Sequence, residues 1–102
     1  METAQLFIRL EMNGDFKNAS AYLTTTDYNS NKLAEQEKRY ESLSEEIKKQ
    51  LKSENINIES YEEESDSRAI LSFSNSIDTG TQRLYLSRQN KKWSVDFKSQ
   101  NH

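Results

Sequence analysis

The sequence predicts an α+β domain in which three N-terminal helices cover one face of a four-stranded antiparallel sheet. Two observations carry this. Apolar residues recur at helical spacing up to about residue 54, and at every second position from residue 55 onward. The links between the later runs are short, which permits only antiparallel neighbours because parallel pairing needs a long crossover. At 102 residues the chain is a single domain.

The first helix is expected over about 2–13, where Ala4, Phe7, Ile8 and Met12 share a face and Leu6 and Leu10 flank it. Thr3 is placed to cap it. Gly14 follows, where a left-handed stop is needed, and Asp15 can cap a second helix over about 16–23. Phe16, Ala19 and Leu23 line one stripe of that helix. The run from Thr24 to Asp27 is poor helix material and reads as a connector. A third helix is expected over about 30–52, with Leu33, Tyr40, Leu43, Ile47 and Leu51 at helical steps. Its heptads are too few for a coiled coil, so it packs on the rest of the domain. Strands are expected over about 55–61, 68–76, 81–88 and 93–98, separated by Glu63–Ser67, Asp78-Thr79-Gly80 and Gln89-Asn90-Lys91.

Composition removes several function classes. There is no Cys, which excludes disulfides, thiolate metal sites and a Cys nucleophile. The only His is His102, the last residue, so a His-based metal site or a His general base is not expected. Two Gly cannot build a phosphate-cradling loop, and no cofactor or metal is expected. A net charge of −3 argues against a nucleic-acid partner. The longest apolar run is Leu6-Phe7-Ile8, too short for a membrane span or a signal-peptide core.

The order of elements is familiar. A first helix ends in the corner Leu10-Glu11-Met12-Asn13-Gly14-Asp15-Phe16, a short helix closes in Ala21-Tyr22-Leu23-Thr24, and the last strand opens as Asn90-Lys91-Lys92-Trp93-Ser94-Val95. In this the chain resembles the nuclear transport factor 2-like (cystatin-like) domains. It is most similar to the small bacterial domains of unknown function related to lumazine-binding-like exported lipoproteins, which implies the bacterial cell envelope as its setting, as a segment of a processed or lipid-anchored product, with the cytoplasm as the alternative. The resemblance implies a cone: a curved sheet wraps a helix and leaves a cavity at its open end. It also implies that the cavity serves as an enzyme site, a ligand pocket or a filled core, and that the outer sheet face serves dimerisation. Fold alone does not choose among these.

Catalysis of the ketosteroid isomerase or polyketide cyclase type needs a carboxylate base and an acid donor inside the cone. The inward strand positions are Ile56, Ile58, Ala69, Leu71, Phe73, Leu84, Leu86, Trp93, Val95 and Phe97, and none ionises. Asp96 falls on the opposite face, and Asp27 reads as a turn or cap residue. The expectation is therefore a non-catalytic binding or interaction domain. A cone-pocket enzyme or small-ligand carrier is the alternative. Tyr22, Tyr40, Phe73 and Trp93 are the candidate lining for a small apolar ligand, since Tyr and Trp join an apolar body to a hydrogen bond. Ile70, Arg83, Tyr85 and Asp96, with Tyr61, Arg88 and Lys98 nearby, are the candidate outer face for a homodimer. Glu59, Glu62, Glu63, Glu64 and Asp66 lack the glycine turn and ligand alternation of a calcium loop and read as a solvated hairpin tip.

Overall fold

The computed structural model describes residues 1–75 and 80–97. Four α-helices precede a four-stranded antiparallel meander of order β1-β2-β3-β4. The elements are α1 (Glu2–Met12), α2 (Phe16–Ala19), a single 3-10 turn (Ser20–Tyr22), α3 (Asp27–Glu41) and α4 (Glu45–Ser53). The strands are β1 (Asn57–Ser65), β2 (Arg68–Ser74), β3 (Gln82–Gln89) and β4 (Lys92–Val95). The core joins Ala4, Phe7, Ile8 and Met12 of α1 to Ala69, Leu71 and Phe73 of β2, Leu84 and Leu86 of β3, and Val95 of β4. Both periodicities read from the sequence meet there.

The corner after α1 is a Schellman turn. Asp15 N–H donates to Leu10 C=O at 2.8 Å and Gly14 N–H to Glu11 C=O at 3.0 Å, with Gly14 at φ +78°. Asp15 then caps α2, accepting from Asn18 N–H at 3.3 Å and Asn18 Nδ2 at 2.7 Å. Thr3 makes no cap, because α1 already begins at Glu2 with Met1 at the cap position. The second helix is shorter than its stripe implies. After Tyr22 the chain extends, and Leu23 bridges Val95 in parallel while Thr24 N–H donates to Val95 C=O at 2.8 Å.

The third predicted helix is two helices. Ser42 closes α3, its hydroxyl donating to Arg39 C=O at 2.7 Å, and Ser44 opens α4 by accepting from Ile47 N–H at 3.2 Å. Serine hydroxyls compete for backbone groups, so two of them around Leu43 outweigh the continuous apolar spacing. Glu45 and Glu46 then sit in the first turn of α4, the favourable end for negative charge. Likewise α3 begins at Asp27 rather than residue 30, because Thr26 accepts from Asn29 N–H at 3.1 Å.

The sheet register puts Leu71 opposite both Tyr61 and Leu84, and Leu86 opposite Val95. Irregularities in β1 between Ile58 and Ser60, and again between Glu63 and Ser65, change which face its side chains meet. The first turns Tyr61 inward, against the core, so it leaves the outer face where simple alternation placed it. Arg88 pairs with Trp93 and shares its face, so it too leaves the outer set. Lys98 lies outside the described residues.

Candidate functional site

The break between α3 and α4 leaves a cleft of about 360 Å³ bounded by α1, α3, α4 and the end of β2. Its floor is Ile8, Met12, Phe16 and Phe73, all buried. Leu43, Ile47 and Leu51 form one wall, each half-buried, because no further layer covers α4. Arg39, exposed, stands among the lining side chains and marks where the cleft meets solvent.

Tyr40 closes the wall toward the α1–α2 corner. Its ring meets Phe16 edge-on at 5.6 Å and 63°, and the Lys48 ammonium lies 5.4 Å from its centroid. The ring also presses on Gly14. A Cβ there would stand 2.7 Å from Cε1, Cζ and Oη of Tyr40. Gly14 is thus required twice, for its positive φ and for this approach.

Glu11, half-buried, lines the cleft with the polar side chains Gln36, Arg39, Asn75 and Gln82. Oε2 of its carboxyl is buried and has no hydrogen-bond partner among the described residues. Burial pushes its pKa up from 4.5 to about 8, which favours the neutral acid over the carboxylate. An unpaired buried polar group costs about 1–3 kcal/mol, which makes it exceptional in a folded chain. The sequence reading missed Glu11 and expected no proton donor on the apolar side. That expectation considered strand positions, whereas the acid comes from a helix. The signal was present: Glu11 follows Phe7 by four residues and Ile8 by three, on the buried stripe of α1.

Of the four predicted lining residues, the cleft gathers Tyr40 and Phe73. Tyr22 and Trp93 lie apart from it. Tyr22 sits half-buried in the 3-10 turn. Trp93 is half-buried at the far end of the sheet, where the Arg88 guanidinium covers its ring at 4.8 Å while Arg88 Nε donates to Asp66 C=O at 2.7 Å. Tyr61 belongs to this end, its hydroxyl pKa raised first by burial, then by the Glu63 carboxylate, with Arg88 opposing.

Of the predicted outer-face set, Ile70, Arg83 and Tyr85 meet around a second hollow of about 370 Å³, joined by Glu62. Asp96 does not join them. It follows β4, and its Oδ1 accepts from Nδ2 of Asn29 at 3.2 Å because the start of α3 packs beside it. Asp27 is the exposed first residue of α3. Among the described residues no group of acidic side chains is arranged to hold a metal ion, and no helix is long and apolar enough to cross a membrane. No protein-family model, curated protein or solved structure matches the chain.

Proposed function

We propose that the chain is a non-catalytic binding domain of the nuclear transport factor 2-like kind, holding a small apolar molecule in the cleft between α1, α3, α4 and β2. The observation that carries this reading is an open hollow of about 360 Å³ whose floor and one wall are apolar, with Gln36, Arg39, Asn75 and Gln82 among its lining. Ligand pockets share that pattern: mostly apolar walls with a few placed polar atoms. Binding is favoured over catalysis because the buried strand positions Ala69, Leu71, Phe73, Leu84, Leu86 and Val95 carry no ionisable side chain. The test is titration with N-phenyl-1-naphthylamine, an apolar fluorophore. Saturable, blue-shifted emission is expected, lost in Leu51→Arg and kept in Tyr85→Arg. Binding that ignores Leu51→Arg would sink the reading.

A second reading concerns the outer sheet face. Ile70 and Tyr85 stand half-buried between Glu62 and Arg83, an apolar centre with opposite charges at its borders that suits a second copy of this chain. We propose a weak homodimer through it. Sedimentation from micromolar to millimolar concentration should show mass rising in the native chain and not in Tyr85→Arg. A constant monomer mass overturns it.

A further inference from the structure

The corner between α1 and α2 carries a chemistry that the binding reading does not use. Asn13 is the one asparagine of the sequence that glycine follows, and it stands exposed at the end of α1. An asparagine in that setting can lose its amide without an enzyme: the backbone nitrogen of the next residue attacks Cγ, and glycine has no side chain to hinder it. The fold opposes that attack. Ring closure needs Cβ of Asn13 and the Gly14 nitrogen eclipsed about the Cα–C bond, about a third of a turn from the ψ of −4° held here. The attacking nitrogen must also shed its proton, whereas Gly14 N–H donates to Glu11 C=O at 3.0 Å. Asn13 N–H is tied to Arg9 C=O at 3.0 Å, and the Tyr40 ring lies against Gly14, so the peptide between the two residues has little room to turn.

We propose that Asn13–Gly14 is a site of spontaneous deamidation that the folded corner holds closed, so that conversion occurs only when the corner opens. In the open form the Gly14 nitrogen gives its proton to a solvent base and bonds to Cγ of Asn13. The Cγ–Nδ2 bond breaks, and ammonia leaves with a proton returned by solvent. Water then adds to either carbonyl of the cyclic imide and reopens it to aspartate or isoaspartate, with one new negative charge and no change of oxidation state. Neither product suits the corner. A carboxylate at the end of α1 opposes the helix dipole. Isoaspartate also lengthens the main chain by one methylene, which shifts the Gly14 and Asp15 N–H groups off the Glu11 and Leu10 carbonyls that close the turn.

The test follows Asn13 by peptide mass spectrometry on the full chain, held in mildly alkaline buffer with and without denaturing guanidinium chloride. In denaturant Asn13 should convert ahead of every other asparagine, with isoaspartate among the products. In the folded chain its rate should be at least about tenfold lower, set by how seldom the corner opens. Tyr40→Ala, which removes the ring against Gly14, should raise the folded rate several-fold and leave the denatured rate unchanged. Asp15→Ala, which removes the α2 cap, should do the same in a chain that keeps Tyr40. Equal rates in the folded and denatured native chain overturn the proposal, and so does a folded rate that neither variant moves. Conversion of another asparagine ahead of Asn13 in denaturant overturns the site itself.

Discussion

Beside the two ends of α3 lie polar groups in opposite circumstances, one on α3 itself and one on α1. At its start, Asn29 is fully buried and fully used: Nδ2 donates to Thr24 C=O at 3.0 Å and to Asp96 Oδ1 at 3.2 Å, and Oδ1 accepts from Phe97 N–H at 3.0 Å. One side chain thereby ties the connector, the helix start and the end of β4 together. Near its other end, where Glu11 and Tyr40 line one cleft, Oε2 of Glu11 is buried with no hydrogen-bond partner among the described residues. A satisfied buried polar group works as a fastener, and an unsatisfied one costs stability.

The largest effect should come from Glu11. Its folded pKa, about 8, lies above the ordinary 4.5, so as pH rises between those values the unfolded chain releases a proton that the folded chain keeps. Stability therefore falls across that window and levels off above it, by up to roughly 4–5 kcal/mol. Urea unfolding should show this slope in the native chain and a nearly flat profile in Glu11→Gln, which becomes the more stable protein at about pH 9. Matching profiles would mean that Glu11 is solvated and that the contrast with Asn29 is illusory.

Asn29→Leu tests the other end. It strands the Phe97 N–H and the Thr24 C=O, and should cost about 3 kcal/mol by chemical denaturation. A cost below about 1 kcal/mol would show that water replaces the amide readily and that this end is no fastener. Gly14→Ala comes next. The positive φ and the 2.7 Å approach to Tyr40 both penalise a methyl group, for about 2 kcal/mol in total. It should also disturb the cleft wall, so reduced N-phenyl-1-naphthylamine binding should accompany the lost stability. The smallest change is expected far from both ends. Asn90 and Lys91 occupy φ of 52° and 65° in the β3–β4 turn, so Lys91→Gly should raise stability by about 0.5–1 kcal/mol without affecting the fluorophore.

Much of the scaffold was legible from residue order. Gly14-Asp15 marks a helix corner because each residue suits one backbone task, and Ala69, Leu71 and Phe73 alternate because one sheet face is buried. The break at Ser42–Ser44 was less visible, since the apolar spacing runs through it unbroken. Tyr61 was misplaced because a one-residue irregularity in β1 reverses facing without changing composition. In the candidate site, Tyr40 and Phe73 were foreseen and Glu11 was not. A carboxylate on a buried helical stripe is ordinarily read as solvent-facing, and only packing shows whether it escapes to water.

Local chemistry by itself determined the four antiparallel strands and the capped helix corner, because these depend on neighbours in the chain. Tertiary structure alone decided that Asn29 and Asp96 meet, that Trp93 and Tyr22 stand away from the cleft, and that Glu11 is enclosed. Those outcomes depend on groups as far as 67 positions apart in sequence, and burial of a charge is a property of what surrounds it rather than of the residue.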